Sequence, residues 1–135
     1  MYKKILIALA PDQMDAAAEL KAAARALADE GASILALSVI EIVPSYIEFQ
    51  VPSSIYEMPR EDVERRLEEA LSDSPDILRR VEVGNPAATI RHVQETEGCD
   101  VVVLRSHSPA LKDWVLGTTA GRVVRDVNCS IHVLR

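Results

Sequence analysis

The chain reads as an α/β domain built on an open, doubly wound sheet of five parallel strands with helices on both faces. Two observations predict this. Apolar runs of strand length alternate with Ala- and Leu-rich stretches of helix length, giving the order β-α-β-α-β-α-β-α-β. The runs Ile5-Leu-Ile-Ala-Leu9 and Val101-Val-Val-Leu104 are apolar without alternation, as strands buried on both faces must be. Right-handed crossovers then place the helices on both sides of the sheet. A length of 135 residues fits a single domain, residues 1–135, with enough chain for a real core.

Each element has a local reason. Lys4 to Ala10 is the first strand, broken by Pro11-Asp12. Met14 to Glu30 is a helix with Leu20, Ala24 and Leu27 on one face, and Gly31 is placed to cap it. Ser33 to Val43 is the second strand. Arg60 to Leu71 is the second helix, with Val63, Leu67, Ala70 and Leu71 at core spacing. Its acids Glu61, Asp62, Glu64, Glu68 and Glu69 form a wet face laced by Arg65 and Arg66. Ile77 to Val83 mixes Arg79, Arg80 and Glu82 with apolar residues, the pattern of an edge strand. Asn85 and Pro86 start the third helix as N-cap and first helical residue, and Gly98 ends it. Val101 to Leu104 is the fourth strand, Thr118 or Thr119 caps the last helix, and Ser130 to Leu134 is the fifth strand. The order gives a flavodoxin- or Rossmann-like nucleotide-binding topology, in which ligands sit beyond the carboxyl ends of the strands where the strand order reverses.

Composition narrows the function. A net charge of −6 disfavours non-specific binding to nucleic acid or to an anionic membrane, since either wants a basic face. The two cysteines, Cys99 and Cys129, lack CxxC spacing and read as buried structural thiols in a reducing compartment. The apolar run after Met1-Tyr2-Lys3-Lys4 is too short for a membrane span, and no signal-peptide cleavage pattern follows it. The expected location is cytoplasmic. Residues 44–59 carry Tyr46, Phe49 and Tyr56 with Pro44, Pro52 and Pro59; a long irregular loop of this kind is either a variable insertion or a contact for a protein partner.

Catalytic signatures are absent. There is no GxSxG, no Walker loop and no metal spacing among His92, His107 and His132, so the chain is not expected to be an enzyme. The informative stretch is the loop from the fourth strand into the last helix. A strand that feeds a helix N-terminus is where α/β proteins hold phosphates.

These residues resemble the universal stress protein family along nearly the whole chain. The similarity runs from Tyr2-Lys-Lys-Ile-Leu-Ile-Ala8 through Gly84-Asn-Pro-Ala87 and Gly98-Cys-Asp-Val-Val-Val103. It continues in Leu111-Lys112, Leu116-Gly117-Thr118, Arg122-Val-Val124 and Cys129-Ser-Ile-His-Val133. Nucleotide-binding members of the family carry a loop G-x2-G-x9-G-[ST]. Aligned on Gly117-Thr118, its first two glycines fall at Leu104 and His107, and a further common glycine falls at Ala110. The resemblance also implies an aspartate at the end of the first strand, where this chain has Ala10, with Asp12 two residues late. Forced positive φ at residues with a β-carbon costs roughly 1–2 kcal/mol each. Two or three such changes would weaken binding by about 3–5 kcal/mol, from micromolar towards millimolar.

The candidate nucleotide- or anion-binding residues are therefore Ala10, Pro11, Val39, Arg105, His107, Gly117, Thr118 and Thr119, with Lys112 as a further nearby charge. The resemblance implies a stress-response binding and signalling domain with weakened or lost binding of ATP or AMP. Two other readings stand beside it: a competent ATP or AMP binder, or a slow ATPase, with an altered loop, and an adaptor that regulates a transporter or enzyme through residues 44–59. A homodimer through the last strand is expected, because its apolar residues would otherwise leave an unpaired edge.

Overall fold

A computed structural model describes residues 1–41, 59–106 and 117–135. The expected features at 42–58 and 107–116, including the aromatic loop, His107, Ala110 and Lys112, lie outside the described residues. Five strands form one parallel sheet: β1 (Tyr2–Ala8), β2 (Ala28–Glu41), β3 (Leu78–Gly84), β4 (Val101–Arg105) and β5 (Ser130–Leu134). Their spatial order is β3-β2-β1-β4-β5, so the chain winds outward from β1 in both directions. The doubly wound fold expected from the alternation is the one observed, with β3 at an edge as its mixed composition required.

Among the described residues four α-helices cover the sheet: α1 (Ala17–Leu27), α2 (Arg60–Ala70), α3 (Pro86–Glu97) and α4 (Thr118–Asp126). Period-2 geometry sends alternate strand residues to opposite faces. Ile5, Ile7, Val101 and Val103 meet Leu20 and Ala24 of α1 and Val63 and Leu67 of α2 on one side. Leu6, Leu35, Leu37 and Val102 meet Ile90 and Val93 of α3 and Ala120 and Val123 of α4 on the other. Both faces of β1 and β4 are thus dry, which explains their continuous apolar runs.

Several boundaries differ from the sequence reading. The first strand spans Tyr2–Ala8 and leaves Ala10 beyond it, in extended backbone that starts a 3-10 segment, Pro11–Ala16. Helix α1 then runs only to Leu27, and Gly31 does not cap it. Ala28 is already extended and pairs with Tyr2, while the next pair is Lys4 with Ser33. The extra residues of β2 bulge between these pairs, and Gly31, at φ +80°, makes the bend. Strand pairing has overridden the helix propensity of Ala28-Asp29-Glu30. The aspartate instead meets the Met1 amino group.

The other punctuation follows the local chemistry. Asn85 caps α3, its side-chain oxygen accepting the Ala88 N–H at 3.0 Å, with Pro86 in the first turn. Gly98 ends α3 in the left-handed region, at φ +69°. On α2, Arg65 meets Asp62 at 3.5 Å, but Arg60 rather than Arg66 takes Glu64, at 3.0 Å. Helix α1 grips the turn before β3: Lys21 meets Asp73 at 2.6 Å, and Arg25 takes Asp76 with two bonds of 2.5 and 2.9 Å. The hydrogen bond from Lys21 holds the Asp73 carboxyl below its ordinary range, and Arg25 does the same for Asp76. Cys99 is buried, and desolvation pushes its thiol up to about 11. Cys129 is only partly buried, so the expectation of two buried thiols holds for one of them. Among the described residues no helix is long and apolar enough to cross a membrane.

Candidate functional site

The strand order reverses between β1 and β4, and a cavity of about 450 Å³ opens beyond their carboxyl ends. That volume lies in the range of small-molecule sites. Its floor comes from Ala8 and Leu9 after β1, Leu37 and Val39 of β2, and Leu104 of β4. Ala10 through Gln13 form one wall, Pro86 and Ile90 of α3 another, and Gly117 through Ala120 a third. Ile40, Glu41, Arg105 and Ser106 complete the lining.

The structure brings Ala10, Pro11, Val39, Arg105, Gly117, Thr118 and Thr119 to this one cavity. His107 falls outside the described residues. Sequence reasoning missed Ser106, Asp12, Glu41 and the α3 residues as lining groups. Glu41 was legible by the rule that selected Ala10, since it ends a strand beside the switch point. Ser106 carried no such signal, because its role depends on a partner 11 residues away.

That partner is the first residue of the α4 start. Gly117, not Thr118 or Thr119, is the N-cap residue, and no side chain caps the helix. The Gly117 N–H donates to Ser106 Oγ at 2.8 Å. Ser106 is itself held at the sheet edge, its N–H donating to the Leu134 carbonyl at 2.8 Å. The first intrahelical bond runs from Gly121 N–H to the Gly117 carbonyl, so the N–H groups of Thr118 to Ala120 precede the helical ladder.

Leu104 behaves differently from the strained substitution the loop alignment implied. It is a regular residue of β4, paired with Ala8 and Val133, and 3% exposed. No non-glycine residue among those described has positive φ. The cost of forced backbone strain therefore does not apply at Leu104. What the leucine changes is the floor, where side-chain volume replaces open backbone.

Charge in the cavity is sparse. Among the described lining residues, Asp12 and Glu41 are acidic and Arg105 is basic. The Arg105 guanidinium is paired with Glu19 of α1, Nη1 to Oε1, at 3.0 Å. Among the described residues no group of three or more His, Cys, Asp or Glu side chains is arranged to hold a metal ion. The site as described offers an apolar slot, two carboxylates, one neutralised cation and the open end of a helix.

The chain is similar to universal stress proteins in sequence and in fold. A family model described as the universal stress protein family matches residues 1–135. A universal stress protein of Methanothermobacter thermautotrophicus is 27% identical over 146 aligned positions, covering 100% of this chain and 97% of that one. Among solved structures, universal stress protein UspA from Lactobacillus plantarum superposes with a TM-score of 0.70 at 23% identity, covering 99% and 98% of the two chains. A universal stress protein in complex with cAMP superposes with a TM-score of 0.63 at 15% identity, covering 99% and 97%. The family model spans all of residues 1–135, and this chain therefore belongs to the universal stress protein family.

Proposed function

We propose that the protein is a cytoplasmic stress-response binding and signalling domain whose affinity for ATP is low, and that it acts by association rather than catalysis. The observation that carries this reading is the Ser106–Gly117 hydrogen bond, which occupies the N–H group at the head of α4. A phosphate must displace that hydroxyl before it gains the donor, and the exchange leaves little net energy. Ala10 supports the reading from the opposite wall, since it has no carboxylate to accept a ribose hydroxyl. The two acids and the neutralised Arg105 give a polyphosphate no excess positive charge to meet among the described residues.

Titration calorimetry with ATP and magnesium tests it. No binding tighter than high micromolar is expected; a low-micromolar isotherm overturns the reading. A second reading, a nucleotide binder with an altered loop, is favoured by the cavity volume of about 450 Å³ and by the uncapped start of α4. The cAMP bound to one structural neighbour belongs to the same class of ligand.

We further propose a homodimer through β5. This strand lies at the sheet edge, with Ile131 and Val133 only partly buried, and Val124 of α4 is 45% exposed. An antiparallel pairing of two β5 strands across a two-fold axis satisfies the edge.

A further inference from the structure

We infer that Glu19 and Ser106 are internal occupants of the cavity's anion-binding groups, so that the pocket favours a nucleoside over its phosphates. The inference rests on the low-ATP reading above and assigns the residues that set the preference. Besides the open N–H groups of Thr118 to Ala120, two donors on the described wall suit a phosphate: the Arg105 guanidinium and the Gly117 N–H. Each of these two already has an acceptor from this chain. Glu19 Oε1 lies 3.0 Å from Arg105 Nη1, and Ser106 Oγ lies 2.8 Å from the Gly117 nitrogen.

Glu19 is well placed to compete. It sits in the first turn of α1, where the helix dipole favours a carboxylate. Its side chain is 53% exposed, so it reaches Arg105 from the solvent side and leaves the cavity's apolar floor untouched. An incoming phosphate exchanges one anion for another on Arg105, and one acceptor for another on Gly117. Such exchanges conserve the number of bonds and contribute little. Asp12 and Glu41 act against the same ligand and offset the open N–H groups of Thr118 to Ala120, because their charges reach across a pocket comparable in size to the ~8 Å screening length. Leu37, Val39 and Ile40, by contrast, offer apolar surface to a base whatever the phosphate count. The affinity is therefore flat or falling from adenosine to AMP to ATP.

The test is calorimetry on the full chain with adenosine, AMP and ATP-magnesium, repeated in Glu19→Gln and Ser106→Ala. In the parent protein adenosine binds at least as tightly as AMP. Glu19→Gln raises AMP affinity about three- to five-fold, the range of an exposed ion pair, and moves adenosine by less than about two-fold. Ser106→Ala acts in the same direction on AMP alone. Circular dichroism confirms that both variants keep the fold. AMP binding about ten-fold tighter than adenosine in the parent overturns the inference while leaving low ATP affinity in place. So does a failure of adenosine to bind, or a Glu19→Gln variant that shifts both ligands equally. Low-micromolar ATP binding overturns the inference and the functional reading together.

Discussion

Ser106 and Gly117 face each other across residues 107–116, joined by a hydrogen bond of 2.8 Å from the glycine N–H to the serine hydroxyl. One residue follows β4 directly and the other is the N-cap of α4, so the bond ties the end of the strand to the start of the helix. Ser106 and Gly117 are thereby fixed to each other on the rim of the cavity.

Removing that tie has a measurable cost. Ser106→Ala leaves the Gly117 N–H without its acceptor, and the net worth of such a bond is about 0.5–1.5 kcal/mol. Urea unfolding should show a lower midpoint with an unchanged slope. An unchanged midpoint would mean that water replaces the hydroxyl at no cost.

A second prediction concerns acid. Asp100 accepts the N–H groups of Lys3 and Lys4 at 2.9 and 3.0 Å. Burial works to raise its pKa, but these two donations outweigh it, and the carboxyl titrates below its ordinary 3.8. A depressed native value contributes stability above the unfolded pKa and loses it as pH falls through the native one. Asp100→Asn should therefore cost about 1 kcal/mol at neutral pH, discounted for partial exposure, and much less in acid below the native pKa of the carboxyl. Asp73 and Asp76, also lowered, keep part of the acid sensitivity in the variant. Equal costs at both pH values would show that the charge of Asp100 is not what matters.

Gly84 offers a steric test. A β-carbon there would lie 2.8 Å from Thr89 Oγ1, too close for either group to stay in place. Gly84→Ala should destabilise by about 1–2 kcal/mol through overpacking. Thr89→Ala in the same chain should recover most of that loss, a coupling that a double-mutant cycle reads directly. Additive effects would place the role of Gly84 in its backbone freedom instead.

The β5 dimer predicts mass. Light scattering at micromolar concentration should give twice the 14.8 kDa of one chain. Cutting the chain after Val127 removes β5 and should give a monomer, and Ile131→Glu should weaken the pairing with the strand still present. A 14.8 kDa species for the intact protein, or a dimer that survives both changes, excludes pairing through β5.

The fold was legible because its signals are local and repeated. Ile5, Ile7 and Leu6 announce a two-faced strand by having no polar residue between them, and Asn85-Pro86 announces a helix start by side-chain chemistry alone. Gly31 misled for a physical reason. Glycine serves a helix end and a strand bulge equally well, and only the pairing of Tyr2 with Ala28 decides between them. The site was legible as far as topology reaches, since ends of strands beside a switch point can be named from their order. Ser106, Glu19 and Asp100 were not, because each acts on a residue distant in sequence, and residue type alone does not reveal a partner.

The clasp of Asp100 on Lys3 and Lys4 has a consequence for how the chain reaches its native state. Lys3 and Lys4 lie 97 and 96 positions before Asp100, and β1 has β4 as its sheet neighbour on that side. During synthesis β1 leaves the ribosome first, at roughly 5–20 residues per second, and waits several seconds for β4 to follow. Early in that interval only β2 is available to cover one of its edges. A nascent chain stopped before Val101 therefore carries an open, wholly apolar strand edge at Ile5-Leu6-Ile7, the natural target for a holding chaperone. Registration of β1 against β4 is correspondingly a late, long-range step, and substitutions at Asp100 should speed unfolding more than they slow folding.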